Sequence, residues 1–98
     1  DTDVDIALTP KGAGVVKSAA SLTALSGTAI PAGGTAGAGY KLSSTANFGV
    51  FFGSGAPTLS AAQGSLYLRS DGSSNATRLY VNTNGTTAWS NVSETLWQ

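Results

Sequence analysis

GSLYLRSDGSSNATRLYVNTNGTTAW, residues 64–89, alternates two kinds of side chain on either side of two turn-like breaks. In residues 65–69, Leu66 and Leu68 fall on one face and Tyr67 and Arg69 on the other; residues 77–82 repeat the scheme with Leu79 and Val81 against Arg78, Tyr80 and Asn82. A period of two is that of a strand, so the stretch predicts a three-stranded meander. Asn84-Gly85 is the preferred dipeptide of a two-residue type I′ hairpin, which sets Val81 opposite Ala88 and Tyr80 opposite Trp89. The first hairpin has two candidate registers. Pairing Leu68 with Leu79 brings Arg69 opposite Arg78, an unfavourable like-charge pair, whereas pairing Leu66 with Leu79 brings Tyr67 opposite Arg78 and is preferred. Either register leaves residues 70–75, SDGSSN, as a polar loop turning at Asp71-Gly72.

A sheet with one wet face alternates apolar with plainly polar residues. Here the second face carries Tyr67, Tyr80 and Trp89 among Arg and Asn, so it is covered or used. Three readings are open. The face packs inside the same chain against Phe48, Val50 and Phe52, or it packs on a neighbouring subunit, or it is a flat platform for a sugar. Tyr67, Arg78, Tyr80 and Trp89 are therefore the candidate contact residues, at a subunit interface or against a glycan.

Upstream, Tyr40 and Leu42 and then Phe48, Val50 and Phe52 stand at alternate positions, with Phe51 on the opposite face. GSGAPT, residues 53–58, breaks this run with two glycines and a proline, which a central strand does not accommodate. Residues 40–98 thus form a β-meander module. Residues 18–39 are nearly all small, too glycine-rich for a stable helix, and read as a linker or an extended wrap able to lie at a crowded axis between chains. Residues 1–17 read as strand-turn-strand: Val4, Ile6 and Leu8 alternate with Asp3, Asp5 and Ala7, Pro10-Lys11-Gly12 turns, and Val15-Val16 resumes an extended run. The chain opens on Asp1 rather than Met, so a cut or processed end is expected.

Composition narrows the function classes. Gly, Ala, Ser and Thr number 53 of 98 residues, while the large aliphatic residues and Phe number 20, so the core is thin for a chain of this length. Such chains are usually supported by disulfides, metals or oligomerisation. With no Cys and no His, oligomerisation is the support that remains, and neither a transition-metal site nor a Ser-His nucleophile can be built. Five basic and five acidic residues cancel, which leaves no basic footprint for nucleic acid. No apolar run approaches the 18 or so residues of a membrane span, so membrane insertion is not expected. Asp1, Asp3 and Asp5 would share one strand face, yet the glycine and distal Glu of a calcium loop are missing. TAGAGYK lacks the Gly-Lys-Ser/Thr ending of a phosphate loop. Three Asn-x-Ser/Thr triplets, at Asn75, Asn84 and Asn91, read as turn and strand-end chemistry. Glycoside hydrolysis needs two carboxylates about 5 to 9.5 Å apart in a cleft, and only Asp71 and Glu94 lie outside the N-terminal segment. No catalysis and no cofactor are expected.

GVFFGSGAPTLSAAQGSLYLRSDGSSNATRLYVNTNGTTAWSNV, residues 49–92, resembles a module that recurs in bacteriophage tail-fibre, head-fibre and related virion proteins. The residues that carry the resemblance are Gly53 to Thr58, Gly64 to Tyr67, Arg69, Asp71-Gly72, Arg78 to Val81, Asn84 to Thr86 and Trp89. LTPKGAGVV, residues 8–16, is similar to a Pro-Lys-Gly strand-turn-strand element of the same kinds of protein. The resemblance implies an all-β fold of short antiparallel strands and hairpins with Gly/Ala/Ser/Thr-rich loops, in an intertwined or side-by-side homotrimer. It also implies a structural role in the virion, assembled in the bacterial host cytoplasm as part of a tail fibre, head fibre or decoration spike. The partners so implied are other copies and other virion structural proteins. The alternative is a receptor-binding fibre tip that contacts a host-surface glycan.

Overall fold

The computed structural model describes residues 6–20 and 29–93. The fold is all-β: one five-stranded sheet of β1 (Gly39–Ser43), β2 (Phe48–Gly53), β3 (Leu66–Arg69), β4 (Leu79–Asn82) and β5 (Trp89–Asn91), ordered across the sheet as they occur in the chain. A 3-10 turn, Thr45–Asn47, reverses the chain between β1 and β2. Ala46 and Asn47 both adopt positive φ there, of 54° and 59°.

The meander β3-β4-β5 is antiparallel, but β2 and β3 run parallel, with Val50 opposite Leu66, Phe51 opposite Tyr67 and Phe52 opposite Leu68. Parallel neighbours require a crossover of a dozen or so residues, usually a helix. Here the crossover is the irregular connection 54–65, in which Gly55 and Pro57 disfavour a helix. It lies over the side of the sheet that carries Phe51 and Tyr67, where its Leu59 and Ala61 are buried. The core is therefore Phe51, Leu59, Ala61, Tyr67 and Tyr80, with Trp89 packed against it.

Both hairpin registers differ from the sequence-based expectation. Leu68 pairs with Leu79 and Tyr67 with Tyr80, so Arg69 and Arg78 meet at the strand ends, where the Arg69 N–H donates to the Arg78 carbonyl oxygen at 2.9 Å. The like-charge objection is answered locally, because Asp71 holds the Arg69 guanidinium in an ion pair of 2.9 Å. At the second hairpin Trp89 pairs with Asn82, and Tyr80 with Asn91. This is not a type I′ turn, which needs positive φ at both central residues: of Asn84 and Gly85 only Gly85 has it, at 78°. Side-chain amides replace the tight turn. Asn82 Oδ1 accepts from the Asn84 and Gly85 N–H groups at 3.1 and 2.7 Å, and Asn84 Oδ1 from those of Thr86 and Ala88 at 2.8 and 3.2 Å. The register moves by two residues, an even shift, so Trp89 keeps its place on the face of Tyr80.

Residues 6–17 do not join the sheet. Residues 6–17 hold no strand, and Ile6 and Leu8 are 86% and 68% exposed. The turn is present, with Gly12 at φ 63° and the Gly14 N–H on the Lys11 carbonyl at 3.2 Å. Residues 6–8 and 15–16 form no ladder: a strand needs a neighbouring backbone edge, and among the described residues none pairs with them. Val4 and the acidic positions Asp1, Asp3 and Asp5 lie outside the described residues.

Within the expected linker, residues 31–38 turn against the core. The Ser54 N–H donates to the Pro31 carbonyl at 2.9 Å, the Gly33 N–H to Ser54 at 2.7 Å and the Thr58 N–H to Gly33 at 2.9 Å. This contact is close enough to require glycine in β2: a Cβ on Gly53 would stand 2.5 Å from the Gly34 nitrogen and from the Tyr67 hydroxyl, and 2.6 Å from the Pro31 oxygen. A Cβ on Gly37 meets nothing within 4 Å. Gly53→Ala is therefore expected to lower stability by about 1–3 kcal/mol, while Gly37→Ala leaves it within about 0.5 kcal/mol. Thermal unfolding of the two variants checks the contrast, and equal midpoints contradict it.

Candidate assembly surface

The two faces of the sheet have opposite fates, and chemistry decides which is covered. A buried Tyr or Trp needs a partner for its polar tip. A helix or strand spends its carbonyl groups on its own ladder, but an irregular connection has some to offer. Tyr67, 0% exposed in the central strand, donates its hydroxyl to the Gly55 carbonyl at 2.9 Å. Trp89 Nε1 donates to the Leu59 carbonyl at 2.9 Å. The Tyr67 ring meets Tyr80 edge-on at 5.9 Å between centroids and Trp89 at the same separation with a 55° tilt. Such aromatic pairs contribute about 0.5–1.5 kcal/mol each beyond area burial.

A polar border closes this layer. Arg69 donates through Nε to Asp71 at 2.9 Å and through a terminal nitrogen to the Tyr80 hydroxyl at 3.0 Å. The Gly55 N–H also donates to Asp71, at 2.9 Å, so one carboxylate ties the crossover to the end of β3. The Arg69 guanidinium and the Gly55 N–H hold the Asp71 carboxyl below its ordinary range. Burial pushes the Tyr67 phenol upward.

Of the four candidate contact residues, Tyr67 and Tyr80 are buried in the chain's own core and Trp89 is half-buried against it; Arg78 is exposed. Leu59 and Ala61 of the crossover cover the three rings, with Phe51 beside them on the same face, rather than Phe48, Val50 and Phe52. Those three rings accordingly present no aromatic platform. The parallel pairing of β2 with β3 is the reason, since it demands a crossover and the crossover lies on the rings.

What stays open, around Leu68, is the aliphatic face. Val50, Leu66 and Val81 form one row across β2, β3 and β4, and Phe52, Leu68 and Leu79 form the next. Leu68 is half exposed in the middle of the sheet, Tyr40 and Phe48 are exposed beside the rows, and Leu42 at the bulge in β1 is 71% exposed. None of these residues is charged. The exposed parts of Leu42, Leu68, Tyr40 and Phe48 alone amount to on the order of 400 Å², the size of the largest apolar patch on a typical monomer. Every buried side-chain polar atom among the described residues has a partner, and these residues enclose no ligand cavity and no metal-binding cluster. No helix among them is long and apolar enough to cross a membrane. The candidate functional feature is therefore this open face. The strict alternation of residues 64–89 marked the two faces, but carried no signal of which one the crossover would cover.

Two outcomes follow. Trp89→Ala removes a packed indole and leaves the Leu59 carbonyl without its donor, so a loss of about 3 kcal/mol of stability is expected by chemical denaturation. Asp71 has a depressed folded pKa, so the folded chain takes up its proton less readily than the unfolded chain. Its contribution is present above the ordinary carboxylate pKa and lost as pH falls through the depressed folded value. Asp71→Asn should thus lower the melting temperature at neutral pH and converge with the parent chain in acid; parallel curves across that range contradict the ion pair.

No protein-family model, no curated protein and no solved structure matches the chain.

Proposed function

We propose that this chain is a structural, non-catalytic module of a bacteriophage virion, part of a trimeric tail fibre, head fibre or decoration spike assembled in the host cytoplasm. The observation that carries the assembly half of this reading is the uncharged aliphatic face left open on the sheet. Covering on the order of 400 Å² of apolar surface contributes roughly 10 kcal/mol gross, comparable with the cost of association. A surface of this kind serves a chain that works inside a larger particle. The virion assignment rests on the resemblance of residues 49–92 and 8–16 to phage fibre modules. The thin core and zero net charge agree with it. The receptor-tip alternative loses its proposed platform, because the rings of Tyr67, Tyr80 and Trp89 are turned onto Phe51, Leu59 and one another.

Sedimentation at micromolar concentration is expected to report three chains per particle. Leu68→Glu places a charge in the middle of the open face and should shift the particle toward monomer while the secondary structure persists. A parent chain that sediments as a monomer overturns the assembly reading.

A further inference from the structure

Resting on that assembly reading, we propose that the N-terminal arm of one copy, residues 6–17, docks on the open aliphatic face of a second copy. Two apolar surfaces stand uncovered in the same chain. One is the face around Leu68; the other is the arm, where Ile6, Leu8, Val15 and Val16 are each more than three-fifths exposed. The Gly14 N–H of the arm donates locally, to the Lys11 carbonyl, and the next hydrogen bond among the described residues, between Ser18 and Ala20, is local as well. It leaves its own sheet face open and is itself left open.

Area argues for joining the two. A stable interface takes about 800 Å² from each partner, twice what the four most exposed residues of the face supply, and the arm adds on the order of 400 Å² more. Passing each arm to the next copy round a three-fold ring covers both surfaces on every copy and closes with symmetry. The geometry is compatible. Ile6 and Leu8 are alternate residues, and an extended segment spaces them by about 6.6 Å, the same interval that separates Leu66 from Leu68 along β3. The face has no charge, and the arm places Lys11 at its turn and Lys17 at its end, where both can remain in water at the rim.

The test exploits the absence of cysteine from the chain. Full-length Leu8→Cys and Leu68→Cys proteins, one of them isotope-labelled, are mixed under conditions that allow exchange of copies and treated with a short bismaleimide. The expected product is a two-chain species holding one copy of each variant, joined through residues 8 and 68 as mapped by mass spectrometry. Ser73→Cys, in the exposed loop after β3, should give at least tenfold less of it with Leu8→Cys. A doubly substituted protein that cross-links within one chain instead overturns the proposal, as does Leu68 cross-linked only to Leu68. Sedimentation of the same samples separates the two levels. Oligomers without the 8–68 product remove the arm from the face and leave the assembly reading standing; monomers remove both.

Discussion

The hydroxyl of Tyr67, buried at the centre of the sheet and donating to the Gly55 carbonyl, joins the middle strand to the crossover above it. Around that bond the rest of the layer is arranged. Tyr80 and Trp89 pack on the Tyr67 ring, and Trp89 fixes the far part of the crossover through the Leu59 carbonyl. Asp71 holds the near part through the Gly55 N–H and draws Arg69 over the Tyr80 hydroxyl. Gly53 and Gly34 let residues 31–38 approach closely: a Cβ on Gly34 would stand 2.8 Å from both Leu59 and the Tyr67 ring. The side chains that look most like ligand contacts in the sequence are the ones that hold the chain together.

This arrangement has a complement. An irregular crossover rich in small residues offers free carbonyl groups but little apolar area, so it suits rings with polar tips better than a row of Leu and Val. The crossover covers one face, with Leu59 and Ala61 buried against the rings. Among the described residues the aliphatic face stays open around Leu68. On the proposed assembly reading this division is useful, since the chain holds its shape by hydrogen-bonded rings and keeps an uncharged surface for neighbours. The exposed arm with Ile6 and Leu8 is of the same character.

Strand identity was legible in the sequence because the period of two in residues 64–69 and 79–82 is a local property, set by the backbone pleat and by which residues are apolar. The turns were legible as turns, through Asp71-Gly72, Asn84-Gly85 and Gly53 to Pro57. Their types were not, because Asn82 is buried and spends its amide on the turn, a role that depends on its burial. The register of the first hairpin escaped the like-charge rule for a similar reason: the Asp71 that neutralises Arg69 sits in the loop and also answers to Gly55 from another part of the chain.

By itself, then, the sequence determined an all-β chain with two chemically distinct sheet faces, no thiol or imidazole chemistry and too few large apolar residues to cover both faces. Only the tertiary structure decided which face is inside. That choice follows from the parallel pairing of β2 with β3, which joins strands distant in sequence and sends residues 54–65 across one side of the sheet. Alternation along a strand is symmetric between its two faces, and nothing local breaks the symmetry; the long-range crossover does, by bringing free carbonyl groups to the aromatic side and leaving Leu68 and its neighbours facing out.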